Sequence, residues 1–169
     1  MLSGWSRIES DGGALLMAYT LLQGGSTFCA VGSLYLMNRL NVALSESQLT
    51  ALSRWLLRRQ DAGFTGRPNK DADTCYSFWV GAALEMLGIL DLTNVTFNRS
   101  FVLSAQSPIT GGFSKYPNHS PDPLHSYLGL AGLALIGEPS VNPIFPALNI
   151  SQRAYDHLMN LHRLWENGH

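Results

Sequence analysis

The chain marks itself twice at an interval of about fifty residues: Gly63-Phe64 returns as Gly112-Phe113, and Cys75 is answered at the same interval by His125. Each Gly-Phe pair is followed by a polar loop containing proline, and each loop leads into an apolar segment rich in small residues. Those segments cover 78–84 and 127–133, with a third of the same kind at 28–34. Apolar nearly all round and carrying Gly and Ala, they predict buried helices that approach their neighbours closely. A fixed period of this length is the mark of a repeat architecture, in which each unit buries its apolar face only against the next.

Amphipathic stretches alternate with the apolar ones. Ser45-Glu46-Ser47-Gln48 is a capping-box pattern ahead of Leu49, Leu52, Trp55 and Leu56, and Arg58-Arg59 follows near the negative helix end. Arg54, Arg58 and Arg59 read as a solvated face. A weaker helix is predicted over 97–106. A stronger one spans 151–166, with Tyr155, Leu158, Leu161, His162 and Trp165 at helical spacing. No segment sustains period-two alternation. The predicted class is all-α: an α-α toroid of helical hairpins, present as about three pairs and so as a partial ring. Such a ring leaves inner faces open, with Phe28, Phe78, Trp79 and Tyr127 on them.

Charge and composition narrow the function. With 11 basic against 12 acidic residues the chain lacks the broad basic face of a nucleic-acid binder. No apolar run is long enough for a membrane span. Residues 1–11 lack the basic-then-apolar layout of a signal peptide, and two cysteines do not make a disulfide framework. The chain therefore reads as cytoplasmic, and its four Asn-X-Ser/Thr sequences, at Asn94, Asn98, Asn118 and Asn149, read as turn chemistry. A secreted, glycosylated toroid would need the missing leader.

The segment 66–79 concentrates chemistry: Arg67, Lys70, Asp73, Cys75, Tyr76, Phe78 and Trp79. Asp73 and Cys75 are two apart, so both reach one ion only from a turn or a helix start. Taken alone, such a pair is most simply a cap aspartate and a structural cysteine. The repeat changes that, because Cys75 and His125 fall at equivalent places in adjacent units. Asp73, Cys75 and His125 then form a three-ligand zinc site with one position open. Arg67 and Lys70 beside it suit phosphate, although solvated loop charges are the plain alternative. His157, His162 and His169 carry no assigned chemistry.

These residues resemble the β subunits of the protein prenyltransferases, most closely the type I geranylgeranyl class. The motifs that carry the resemblance are 63–70 (GFTGRPNK), 73–82 (DTCYSFWVGA), 111–115 (GGFSK) and 121–125 (PDPLH), with 24–29 (GGSTFC) upstream. They agree in order across residues 24–166. Residues 1–22 do not resemble the family, so 23–169 is read as the C-terminal part of the toroid.

The resemblance implies a lipid cavity at the ring's centre and one zinc held by Asp73, Cys75 and His125. It implies that Arg67, Lys70 and Tyr76 hold the diphosphate of geranylgeranyl diphosphate, together with the Gly24-Gly25 element. Trp79, with Cys29, would line the prenyl pocket, and Leu124 would face a substrate peptide. Lys115 stands where the farnesyl enzymes carry a magnesium-binding aspartate, which implies a direct positive charge and no magnesium requirement. Gln23 replaces a family histidine just before Gly24-Gly25. The implied partners are an α subunit and proteins ending in C-a-a-X, whose cysteine thiol would be prenylated. Alternatives are the Rab-type enzyme's β subunit, or a silent helical module that binds an α subunit or a lipidated tail.

Overall fold

The computed structural model describes residues 23–168; the 1–22 segment and His169 lie outside the described residues. Among the described residues seven helices follow in order. They are α1 (Gly24–Leu36), a short α2 (Leu40–Ala43), α3 (Glu46–Leu57), α4 (Tyr76–Met86), α5 (Val95–Ser104), α6 (Pro123–Leu135) and α7 (Gln152–Asn167), with a 3-10 turn at Leu90–Leu92. Among the described residues no helix is long and apolar enough to cross a membrane.

Helix starts are set by local side chains. Ser45 accepts from Gln48 N while the Gln48 side chain accepts from Ser45 N, completing the capping box of α3. Asn94 caps α5, Ser151 caps α7, and Asp122 caps α6 with Pro123 in its first turn. Three of the four Asn-X-Ser/Thr asparagines serve turns or a cap, and Asn98, inside α5, does not. Asn118 and Asn149 hold positive φ, Asn94 is a cap, and Asn98 is buried and accepts from Ser77 Oγ at 2.8 Å.

Helices α1, α4 and α6 form one layer, with α4 between the other two; α3 packs outside α4, and α5 outside α6. α4 is the pivot because it can be buried nearly all round: Ser77, Phe78, Val80 to Leu84 and Met86 are all inside. Its contact with α6 is close enough to require glycine. A Cβ on Gly132 would lie 2.7 Å from Ser77 Cβ and 3.0 Å from the Ser77 carbonyl carbon. Val31, Leu52, Leu56, Phe64, Val80 and Leu84 make the main core, and Phe64 is fully buried. Removing a ring of that size from water contributes about 2–3 kcal/mol.

The repeat is visible in the backbone. Phe64 bridges to Gln60, and Phe113 to Gln106, each as an isolated antiparallel bridge. Phe64 O then accepts from Asp73 N at 3.0 Å, and Phe113 O accepts from Asp122 N at 3.2 Å. The two Gly-Phe elements thus anchor two aspartates in the same way.

Three expectations are corrected, for Phe78, for Phe28 with Trp79, and for Arg59. Phe78 is not on an open face: it is fully buried between α1 and α6, and its ring meets Phe28 at 5.1 Å and Trp79 at 5.3 Å. Tyr127 is exposed as predicted, whereas Phe28 and Trp79 are half-buried against each other. Arg59 is not solvated but 7% exposed, because its guanidinium lies 4.8 Å over the Trp55 ring and its Nε donates to Trp55 O. A small antiparallel ladder, β1 (Ile144–Phe145) with β2 (Ile150–Ser151), interrupts the helices. Two-residue strands are too short to display alternation. α7 packs on this ladder, with Tyr155 stacked on Phe145 at 3.6 Å, and buries none of its own residues; Leu164 and Trp165 stay about 60% exposed.

Candidate metal centre

Three chain segments meet at the start of α4. The Gly63-Phe64 loop delivers Asp73, the first turn of α4 brings Cys75 and Tyr76, and the first turn of α6 brings His125. The loops are tied together by Lys115 O, which accepts from both Thr74 N (3.1 Å) and Thr74 Oγ1 (3.2 Å). One ligand atom from each of Asp73, Cys75 and His125 lies within 4.8 Å of the other two. All three residues are under 10% exposed.

Each side chain is held. Asp73 Oδ1 accepts from Cys75 N at 3.0 Å and stands 3.2 Å from His125 Nε2. The far ring nitrogen, His125 Nδ1, is 2.6 Å from Asp122 Oδ2, while Asp122 Oδ1 accepts from His125 N. A carboxylate on Nδ1 places a proton there and orients the ring with Nε2 turned inward, as in metal-ligating histidines. Burial pushes the Cys75 thiol far above its ordinary range, and the hydrogen bond and charge of Asp73 push it further. Without an added positive charge this pocket therefore opposes a thiolate.

Asp122 escaped the sequence reading as a functional residue. Its signal was available: it follows Asp73 at the interval that separates the two Gly-Phe pairs.

Beside the cluster is a hollow of about 260 Å³ lined by Gly66, Arg67, Lys70, Asp71, Asp73, Tyr76, Lys115 and Tyr116. The structure thus brings the three predicted cations, the tyrosine and one metal-ligand candidate to a single wall. Lys115 Nζ is 3.6 Å from Asp73 Oδ2, and Tyr116 and Asp73 hold this ammonium above its ordinary value. Tyr76 is raised mainly by burial, so its hydroxyl stays protonated near neutrality. Gly66 has to be glycine, since a Cβ there would fall 2.1 Å from the Tyr76 ring.

The remaining predicted residues are not among those that line this hollow. Gly24 N donates to Gly66 O at 2.7 Å, joining the start of α1 to the Arg67 loop. A Cβ on Gly24 would crowd Val80, and one on Gly25 would crowd Gln23. Trp79 belongs to the aromatic cluster with Phe28 and Phe78. Cys29 is an exposed free thiol. Leu124, next to His125, is 57% exposed, and Tyr127 and Leu130 are also exposed further along α6.

The sequence pattern of the prenyltransferase alpha-alpha toroid domain matches residues 7–150. The chain belongs to this family. The match begins inside the 1–22 segment and takes in both Gly-Phe repeats. Among its relatives is the "Geranylgeranyl transferase type-1 subunit beta" of Dictyostelium discoideum, 46% identical over 131 residues that cover 78% of this chain and 37% of the relative. The protein of the same description from Arabidopsis thaliana is 37% identical over 172 residues, covering 89% of this chain and 46% of the relative. A solved structure described as "Candida albicans protein geranylgeranyltransferase-I complexed with GGPP" superposes with a TM-score of 0.71 and 31% identity, over 79% of this chain and 42% of its own. The chain thus spans less than half the length of these relatives.

Proposed function

We propose that this chain carries the metal-binding part of a protein prenyltransferase β subunit, acting with geranylgeranyl diphosphate on the cysteine of C-terminal C-a-a-X sequences. The observation that carries this reading is the junction of the Asp73–Cys75–His125 cluster with the hollow of Arg67, Lys70, Tyr76 and Lys115. A thiol nucleophile and a diphosphate leaving group need such sites side by side. Kinship with type I geranylgeranyltransferase β subunits supports the choice of lipid.

One sulfur, one nitrogen and one oxygen donor suit zinc, whose ligands at about 2.0–2.3 Å stand roughly 3.3–3.8 Å apart. Bound there, zinc would supply the positive charge that keeps an incoming peptide thiol deprotonated near neutral pH. Asp122 keeps His125 Nε2 turned inward. Arg67, Lys70 and Lys115 would offset the charge that grows on the diphosphate, and Tyr76 would donate to one of its oxygens. In the transfer a bond forms between the peptide sulfur and the first prenyl carbon. The carbon–oxygen bond breaks, the diphosphate leaves with that electron pair, and the thiol proton passes to solvent. With Lys115 beside Asp73, magnesium is not needed for charge neutralisation.

The α subunit and a cytoplasmic setting belong to the same proposal. Co-expression with an α subunit, followed by zinc analysis and a prenyl-transfer assay, tests it. One zinc per chain with transfer of geranylgeranyl supports it; a soluble complex with neither zinc nor transfer makes this a silent helical module. Transfer confined to Rab-type substrates would favour the type II class.

A further inference from the structure

Gln23 sits just before α1 and meets Tyr76 across the edge of the hollow. Its side chain makes two hydrogen bonds that fix which way the amide points. Ser26 N can only donate, so the atom 3.0 Å from it is the amide oxygen Oε1. Nε2 is therefore the atom 2.6 Å from the Tyr76 hydroxyl, and there the amide donates and the phenol oxygen accepts. A phenol O–H lies near the ring plane and has two ways to point. An N–H on one side leaves the proton to the other. Among the described residues the Tyr76 hydroxyl donates to none, while its ring lines the hollow with Arg67, Lys70 and Lys115.

We propose that Gln23 is a positioning residue: its amide turns the Tyr76 hydroxyl into a donor aimed at the hollow. This rests on the diphosphate reading given above, and it assigns the uncharged residue at this position a role distinct from a direct phosphate contact. Gln23 is not among the residues that line the hollow, and its contacts there run through Tyr76. Position 23 and position 76 should therefore behave as one unit toward ligand.

The substitution Q23S separates this role from helix capping. Serine keeps an N-cap acceptor for α1 but is too short to reach Tyr76. The zinc-loaded full chain is titrated with inorganic diphosphate by calorimetry as wild type, Q23S, Y76F and Q23S/Y76F, with thermal unfolding run on each. Loss of one oriented hydrogen bond predicts that Q23S weakens binding roughly 3- to 10-fold at unchanged Tm. The double variant should bind no worse than Y76F alone. Full affinity in Q23S, or losses that multiply in the double variant, would overturn the proposal, since Gln23 would then be idle or act by itself. If Y76F is silent while K70A weakens binding, only this inference fails. If both Y76F and K70A are silent, the diphosphate reading fails and takes the inference with it.

Discussion

Gly132→Ala is the substitution that most directly couples packing to the metal centre. Gly132 is seven residues beyond His125 on α6, two turns along the same face, and Ser77, its opposite number on α4, is two residues beyond Cys75. The new Cβ would stand 2.7 Å from Ser77 Cβ, 3.0 Å from its carbonyl carbon and 3.3 Å from Phe78 N. Ordinary carbon contacts are about 3.5–4.0 Å, so α6 must retreat from α4 by about 1 Å. Two of the three obstacles are backbone and cannot rotate aside. Alanine gains about 1 kcal/mol of helix propensity, but overpacking costs about 1–3 kcal/mol, and with a rigid obstacle the second effect wins. Net destabilisation of about 1–2 kcal/mol lowers Tm by about 2–8 °C. Because the wedge separates the helices that carry Cys75 and His125, zinc affinity should fall about tenfold, equivalent to about 1.4 kcal/mol. Tm by circular dichroism and zinc affinity by chelator competition measure the two effects. Gly137→Ala is the control: its φ of +72° strains alanine, yet nothing lies within 4 Å, so it should cost stability without touching zinc affinity. If G132A binds zinc like wild type at wild-type Tm, the helix contact does not set the ligand geometry and the reasoning is wrong.

Cys75→Ala should reduce bound zinc at least about tenfold by elemental analysis, since it removes the only sulfur of the set; wild-type content would refute the ligand assignment. Lys70→Ala should weaken diphosphate binding about ten- to a hundredfold by calorimetry, a charge-assisted contact being worth about 1.5–3 kcal/mol. Unchanged affinity would return Lys70 to a solvated loop charge. Asp122→Ala should lower zinc affinity about ten- to a hundredfold, whereas Ser151→Ala, which also loses a helix cap, should leave it unchanged; equal effects would make Asp122 a cap only. Arg99 holds Glu138 below the ordinary glutamate range through a hydrogen bond at 2.6 Å, so this pair's contribution is complete above the ordinary glutamate value and is lost as pH falls through the lower folded one. The Arg99 side chain is 47% exposed, so melting of R99A should differ little from wild type, and the small difference should vanish in acid or high salt.

What the sequence disclosed and what it hid follow from the range of the forces involved. The two Gly-Phe elements were legible because a backbone bridge and a buried ring demand the same residues in both units. The cluster of Asp73, Cys75 and His125 was legible because the repeat aligned Cys75 with His125. Asp122 was overlooked because a helix cap and a histidine partner look alike in sequence, and here one carboxylate is both. Arg59 was misread because its burial depends on Trp55 one turn back lying flat beneath it. Gln23 stood out in sequence only as the replacement of a family histidine, and its hydrogen bond to Tyr76 joins residues 53 apart that no local pattern links. The ladder at 144–151 carries Phe145 stacked on Tyr155, a contact between segments that no local pattern encodes.

The central claim is that one zinc is held by Asp73, Cys75 and His125 at the edge of the cation-lined hollow. X-ray absorption at the zinc edge of the loaded chain, before and after adding diphosphate, tests it most directly. The account predicts one sulfur at about 2.3 Å with nitrogen and oxygen neighbours at about 2.0–2.2 Å, unchanged in sulfur count when diphosphate binds. A zinc shell without sulfur, or a chain that takes up no stoichiometric zinc at all, would contradict it.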